Sequence, residues 1–269
     1  MTLEALDVSV VIPTHRRERL VLEAIASALG QQGLALEVIV VDDDPQASAR
    51  AGVAAIADPR LRYIVRDRPS NGRPAFARNA GASVAAGRFL YFLDDDDILE
   101  PDALAQMLRA VQAGAGKAMA FGQVTPFGDD PAVLRQQQEH FDWARKMAAR
   151  VRYPWQLAAS MVYCPAILIN SACIARRAAF EQIGGYDTSI AVCEDADFWS
   201  RMAMQGGFAY LDRPIVRYRT GAPSLMHDLV RDDPKLHESY RIIQGKFARE
   251  VGAVRALFMK IWARLTVRR

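Results

Sequence analysis

Four apolar segments between residues 8 and 97 limit the fold of this chain more than any other feature. They read VSVVIPTHRR, LEVIVVDDDP, LRYIVRD and RFLYFLDDDD. Strands that are apolar on both faces are typical of a parallel sheet covered by helices on both sides. Pro13 is predicted to stop the first strand. Because helical patterns separate the segments, the sequence predicts an α/β fold with a mainly parallel central sheet.

The predicted helices of this first half follow from apolar spacing and from glycines. Apolar residues at 21, 25, 28 and 29 predict a helix that ends at Gly33. An alanine-rich helix over 75–86 is expected to end at Gly87. A third helix follows Glu100, and its apolar stripe consists of Leu104, Met107, Leu108 and Val111.

The second half has a less regular pattern. It predicts a strand over 117–127, mostly helical structure over 129–160, and a strand with a short helix over 167–183. A helix over 195–207 and a strand over 208–219 complete it. Because Pro214 cannot donate a backbone hydrogen bond, we expect that last strand at an edge of the sheet.

Acidic residues stand where the predicted strands end. In an open α/β sheet, ligands bind in the crevice beyond the carboxyl ends of the strands. Adjacent carboxylates repel each other, so a cluster of them needs a compensating cation. Mg²⁺ and Mn²⁺ prefer oxygen ligands and often take one or two carboxylates together with substrate phosphates. The alternative for these acids is a solvated turn. The strand ends that should meet are Pro13-Thr14, Asp42 to Asp44, and Asp94 to Asp97.

Several motifs in a fixed order resemble the family 2 glycosyltransferases, which have the GT-A fold. The motifs begin at Val8, reach about His227, and so span most of the chain. A lone D-x-D would be a weak signal, but the combination is specific. The matching segments are VSVVIPTHRR, VIVVDDDP, NGRPAFARNAGASVAAGRFLYFLDDDDILEPDAL, IGGYD, CEDADFWSRM and VRYRTGAPSLMH.

The resemblance implies a metal-dependent, inverting transfer of sugar from a nucleotide-diphosphate sugar to an acceptor hydroxyl. It implies a nucleotide-binding half over 1–117 and an acceptor-binding half over 118–227, with a separate tail over 228–269. Asp195, next to Glu194, matches the catalytic base, although both could simply be first-turn acids of a helix. Mn²⁺ or Mg²⁺ is expected on Asp96, Asp94 and His227. The nucleotide-binding residues it implies are Pro13, Thr14, Asp42 or Asp43, Arg73, Asp94 and Asp95.

The chemistry of such a reaction is consistent with these residue types. The anomeric carbon passes through an oxocarbenium-like state, as in glycosidases. A single displacement needs one carboxylate on the face away from the leaving group, to take the proton of the acceptor. The resemblance also favours UDP as the donor nucleotide and a glycan or lipid-linked acceptor in surface polysaccharide or glycolipid assembly. Because the Q-x-x-R-W motif of processive members is absent, we expect one transfer per encounter.

Composition and charge exclude other classes. The net charge of +3 is too small to indicate nucleic acid as a partner. The three cysteines have no metal-ligand spacing, and reduced structural thiols are expected. The sequence shows neither a secretory signal nor an apolar run long enough to cross a bilayer. We therefore expect a cytoplasmic protein, with peripheral attachment to the inner face of the membrane as an alternative.

The last residues form a basic segment. From Arg241 onward there are eight Lys or Arg residues against one acid, Glu250. The pattern over 244–265 predicts one amphipathic helix, with Val254, Phe258, Ile261 and Leu265 as its apolar stripe. Such a helix either lies in an anionic membrane interface or packs on the domain or on a second subunit of a homodimer.

Two alternative functions are open at this point. A sugar nucleotidyltransferase has a related sheet, but it would be expected to have a glycine-rich loop after the first strand, and PTHRRERL has no glycine. A non-catalytic nucleotide-sugar-binding protein would not need to keep both the D-x-D and the E-D acids. Both alternatives rank below the glycosyltransferase.

Overall fold

The computed structural model describes residues 6–114, 116–164, 167–221 and 233–267. The strands are β1 Val8–Thr14, β2 Leu36–Asp42, β3 Leu61–Val65, β4 Phe89–Phe92, β5 Ile98–Leu99, β6 Met119–Phe127, β7 Cys173–Arg176 and β8 Phe208–Arg219. The helices are α1 Leu20–Leu29, α2 Arg50–Ala54, α3 Pro74–Ser83, α4 Ala103–Gln112, α5 Pro131–Ala148, α6 Pro154–Tyr163, α7 Arg177–Ile183, α8 Glu194–Gly206, α9 Pro234–Val251 and α10 Ala253–Thr266.

Within these ranges the strands form one sheet in the order β3-β2-β1-β4-β7-β6-β8-β5. The first four strands in this order, β3, β2, β1 and β4, run parallel to one another, as the alternating strands and helices predict. From β7 onward the sheet is mixed, because β7 runs antiparallel to both β4 and β6 while β8 is parallel to β6. The predicted α/β fold with a parallel first half of the sheet is confirmed, and the second half of the sheet is mixed.

Both faces of the sheet are buried. One face packs against α1 and α4, and the four stripe residues of α4 lie in that layer. The other face packs against α3, α5, α6 and α8, and the tail helices α9 and α10 add Phe247 and Met259 to the same layer. This two-sided burial explains why the parallel strands are continuous apolar runs.

Some predicted boundaries are wrong. Strand β1 continues through Pro13 to Thr14, because β4 pairs with β1 only as far as Val11 and leaves one side of the strand without a partner there. Helix α1 ends at Leu29, and the N–H of Gly30 donates to the carbonyl of Ala26. Gly33, with φ of 76°, forms the turn before β2 instead.

Strand β8 is not at an edge. It lies between β6 and the two-residue strand β5. Pro214 is opposite Gln123, where the register between the strands shifts on both sides of Gln123. A β-bulge accommodates a proline inside a sheet because the ladder of hydrogen bonds is interrupted there.

The predicted single tail helix is two helices. Gly252, with φ of 88°, ends α9 and begins α10. Helix α9 begins much earlier than predicted, at Pro234, where the carboxylate of Asp233 accepts a hydrogen bond from the N–H of Lys235 at 2.7 Å. Proline in the first turn and aspartate before it are common helix-start signals.

Candidate active site

A cleft of about 520 Å³ opens beyond the carboxyl ends of β1, β2 and β4. It lies where the strand-end acids were expected to meet. Predicted residues from both halves of the chain line it together. They are Pro13, Thr14, Asp43, Arg73, Asp94, Asp95, Asp96, Glu194 and Asp195. His227 lies outside the described residues.

Of the two acids at the end of β2, only Asp43 reaches the cleft. Asp42 is fully buried, and its carboxylate accepts hydrogen bonds from the hydroxyl of Tyr63 at 2.6 Å and the N–H of Asp44 at 2.9 Å. The oxygens of Asp42 therefore hold the strand end, and of the two acids left open for the nucleotide only Asp43 lines the cleft.

Asp43 organises the loop that follows β3. Its carboxylate accepts hydrogen bonds from the N–H and hydroxyl of Ser70, at 3.0 and 2.7 Å, and from the N–H of Gly72 at 2.8 Å. Gly72 has φ of 77°, a conformation that glycine adopts without strain. Asp43 thus fixes the shape of the loop before Arg73, at the wall of the cleft.

Arg73 links the two halves of the domain across the cleft. Its guanidinium donates to the carbonyls of Thr188 and Ile190 at 2.6 and 3.1 Å. These carbonyls lie just before the loop that carries Glu194 and Asp195. Contact of Arg73 with the nucleotide stays a prediction, and in the structure its guanidinium positions this loop.

Arg17 is the cation that meets two of the strand-end acids, and the sequence analysis did not identify it. Its guanidinium donates to Asp95 at 2.8 Å and to Asp96 at 2.7 Å. The hydroxyl of Thr14 also donates to Asp95, at 2.7 Å. Burial raises the pKa of Asp95 to about 6, against the lowering effect of Arg17. Burial raises the pKa of Asp96 as well, again opposed by Arg17.

Arg78 joins the strand-end acids to the acids at the start of α8. This buried guanidinium donates to Glu194 at 2.5 Å and to Asp94 at 2.6 Å. Burial alone would lower the pKa of Arg78, but the charges of Asp94 and Glu194 raise it above its ordinary value. A fork of donors suits a bridge between two carboxylates.

Asp195 has a different environment from the other acids. Its carboxylate lines the cleft and accepts a hydrogen bond from the N–H of Ala196 at 2.9 Å. Among the described residues no cation forms a direct ion pair with it. Burial, followed by the charge of Glu194, raises the pKa of Asp195 to about 7. A carboxylate with such a pKa can accept a proton near neutral pH.

A strained turn before α8 points Glu194 and Asp195 toward the cleft. Cys193, just before α8, has φ of 59°. A non-glycine residue in this region costs of order 1 kcal/mol and persists only where the surroundings impose it. The N–H of Val192 donates to the hydroxyl of Ser239 at 3.3 Å, so α9 supports the turn from behind.

Asn170 supports both groups of acids and was also missed. Its side-chain amide donates to the carbonyl of Phe92 at 3.1 Å, at the end of β4. Its side-chain oxygen accepts from the hydroxyl of Tyr186 at 2.6 Å and from the indole of Trp199 at 3.2 Å. A polar residue within the apolar run ILIN is the signal that could have identified it.

The fit of a divalent cation depends on two carboxylates. No cluster of three His, Cys, Asp or Glu side chains suited to a metal ion occurs in the part of the chain that the structure describes. Asp94 and Asp96 both line the cleft. A pair of aspartates fits Mg²⁺ or Mn²⁺, which keep several waters and take further oxygens from phosphates.

The family model for glycosyl transferase family 2 matches residues 9–184, which include both strand-end acid groups and Arg73. The chain belongs to glycosyl transferase family 2. It is a glycosyltransferase domain, as the motifs predicted. The match to the family model ends at residue 184, before Glu194 and Asp195. The roles assigned to these two acids therefore rest on the geometry of the cleft and on the sequence motif.

Two curated relatives match the chain over part of their length. The succinoglycan biosynthesis protein ExoO of Rhizobium meliloti is 46% identical over 133 residues, which are 49% of this chain and 37% of that protein. The GalNAc(5)-diNAcBac-PP-undecaprenol beta-1,3-glucosyltransferase of Campylobacter jejuni is 35% identical over 116 residues, which are 42% of this chain and 37% of that protein. Each match therefore covers little more than a third of the relative.

The solved structure of S. aureus TarS residues 1–349 in complex with UDP-GlcNAc has the same fold. Its TM-score is 0.68 at 17% sequence identity, over 90% of this chain and 67% of that chain. At this identity the likeness shows the fold alone, and it supports the GT-A type predicted from the motifs. In the described part of the chain, no helix is both long and apolar enough to cross a bilayer.

Proposed function

We propose that this protein transfers a sugar from a UDP-linked donor to an acceptor hydroxyl, with inversion at the anomeric carbon and one transfer per encounter. One observation carries the proposal: Asp94 and Asp96 line the same cleft as Asp195, although 99 positions separate Asp96 from Asp195 in the sequence. Had these acids opened onto unconnected surfaces, the reaction could not have been assembled from them.

The residues divide the reaction between them. Asp43 and Arg73 shape the wall next to the nucleoside, and Asp94 with Asp96 would hold Mn²⁺ or Mg²⁺ at the diphosphate. The chemistry that such a cation supplies when bound is neutralisation of charge on the departing diphosphate. Asp195 accepts the proton of the acceptor hydroxyl. Arg78 donates to Glu194, and the charge of Glu194 raises the pKa of Asp195.

The relatives support a donor and an acceptor class. TarS was solved with UDP-GlcNAc, which supports a UDP-sugar donor. The names of the two curated relatives concern succinoglycan biosynthesis and a glycan on undecaprenyl diphosphate. We therefore propose a glycan or lipid-linked acceptor in polysaccharide or glycolipid assembly, met at the cytoplasmic face of a membrane.

Proton NMR of the slow hydrolysis of UDP-sugars in the presence of Mn²⁺ tests this function. A panel of UDP-sugars with an α linkage is incubated with the protein, and the anomer released first is recorded before it equilibrates. Inverting transfer to water releases the β anomer from at least one donor. Release of the α anomer would contradict the inverting displacement. A matching panel of GDP-sugars is run in parallel. If the protein did not accelerate hydrolysis of any donor in either panel, the result would contradict the function.

A further inference from the structure

Helix α10 presents two opposite apolar faces, only one of which is covered. Its small residues Ala256 and Ala263, with Met259, are buried against the domain. The larger apolar side chains point away from it, and Val254 is 84% exposed. We call Val254, Leu257, Phe258, Ile261 and Leu265 the outer face of α10.

The outer face is unusual for this molecule. Of the eight large apolar side chains that are exposed among the described residues, five belong to it. At 100° per residue these five lie within one continuous stripe on the helix. Single exposed apolar residues are normal, but a contiguous apolar patch indicates an interaction surface.

Positive charge borders the outer face on both sides. Arg255 lies along one edge of the stripe, and Arg264 with Lys260 lies along the other, at 100° per residue. No acidic residue occurs between Gly252 and Val267. This arrangement complements an anionic surface. A second copy packed on the same face would bring like-charged edges together without acids on α10 to meet them, which is unfavourable.

Aromatic side chains lie beside the outer face. The ring of Trp155 is 5.0 Å from that of Trp262 and 5.7 Å from that of Phe258. Tyr153, at the start of the same helix α6, is 59% exposed. Tryptophan and tyrosine are enriched where proteins meet the headgroup region of a bilayer, since one end of each ring is apolar and the other polar.

Helix α9 connects the outer face to the turn that carries the candidate base. Helix α9 leads directly into α10 at Gly252. Ser239 of α9 accepts a hydrogen bond from Val192, and Lys246 of α9 contacts Asp187 at 2.5 Å. A surface bound to α10 would therefore be connected through α9 to the turn that precedes Asp195.

We propose that the outer face of α10 inserts into the interface of an anionic lipid bilayer and anchors the domain peripherally. The apolar stripe enters the boundary between headgroups and acyl chains, while Arg255 and Arg264 contact anionic headgroups. This binding does not depend on sugar transfer. The membrane site goes beyond the proposed function, because sugar transfer does not require it. Binding through α10 would bring the cleft close to an acceptor held in the same membrane.

Flotation with vesicles tests the proposal on the full chain. The vesicles contain phosphatidylcholine alone or with about 30% phosphatidylglycerol. The face variant carries Phe258→Ser, Ile261→Ser and Leu265→Ser. The matched control carries Val84→Ser and Met204→Ser, which are exposed apolar positions outside α10. The charge variant carries Arg255→Gln and Arg264→Gln.

The expected result is binding of the unmodified chain and the control to anionic vesicles, with partitioning of the face variant reduced at least about ten-fold. The charge variant should bind anionic vesicles more weakly, and added salt should weaken binding of the unmodified chain. Unfolding temperatures equal to that of the control confirm that the face variant is folded. Equal flotation of face variant and control would overturn the proposal. So would a dimer in light scattering that the face variant converts to monomer.

Discussion

The cleft contains two groups of acids that differ in how their charge is compensated. The strand-end group, Asp94 to Asp96, is held by Arg17 at Asp95 and Asp96 and by Arg78 at Asp94. In the group at the start of α8, Arg78 contacts Glu194. Asp195 has no direct ion pair with a described residue, and its pKa is raised to about 7.

This difference separates two chemical tasks. Guanidinium groups hold the oxygens of the strand-end carboxylates at fixed positions in the cleft, which suits the binding of a cation and a diphosphate. A carboxylate with a pKa near 7 binds and releases protons under ordinary conditions, which suits a general base. The comparison therefore predicts that changes in the two groups affect binding and turnover differently.

The largest expected effect tests the base. Asp195→Asn removes the proton acceptor but keeps its shape, so sugar transfer should fall by about 10²–10⁴-fold. The rate of UDP release from the best donor measures it. Asp212→Asn is the matched control, because that exposed aspartate lies outside the cleft, and its rate should be unchanged. Full turnover by Asp195→Asn would remove the distinction between the two groups.

The next effect tests the bridge between the groups. Arg78→Met leaves Asp94 and Glu194 without their shared cation, which should lower the free energy of unfolding by about 3 kcal/mol. Arg88→Met, which breaks the exposed ion pair with Asp7, should cost less than about 1 kcal/mol. Urea unfolding measures both. Equal losses for the two variants would mean that Arg78 does not connect the groups.

The smallest effect tests the raised pKa of Asp195 itself. The carboxyl has a pKa of about 7 when folded and about 3.9 when unfolded. As pH rises from 4 to 7 the unfolded chain releases this proton first, so the group destabilises the folded state progressively. The amide that replaces the carboxyl in Asp195→Asn does not titrate. The unfolding temperature of this variant should therefore exceed that of the unmodified chain by a few degrees more at pH 8 than at pH 5. A difference that does not change with pH would show an ordinary pKa.

The sequence predicted the parts of the site that depend on local patterns. The apolar runs placed β1, β2 and β4, and the acids after them fell at one crevice because parallel strands share a carboxyl edge. It could not place Arg17 or predict the contact of Arg78 with Glu194, because these partners lie far apart in the chain and only folding brings them together. Asp42 was ambiguous for a similar reason, since its partner Tyr63 lies on a neighbouring strand.

The tail illustrates the same limit. The apolar stripe was visible in the sequence, but two apolar faces on one helix cannot be ranked without knowing which one meets the domain. The small side chains of Ala256 and Ala263 allow α10 to pack closely, so the bulkier stripe faces outward. The break at Gly252 was also missed, because the apolar pattern continues across it.

Calorimetric titration with UDP and Mn²⁺, carried out side by side on Asp96→Asn and Asp195→Asn, tests the division of tasks most directly. The account predicts that Asp96→Asn weakens UDP affinity at least about ten-fold through loss of a charged metal ligand. It predicts that Asp195→Asn binds UDP within about three-fold of the unmodified chain. Equal weakening in both variants, or weakening confined to Asp195→Asn, would contradict it.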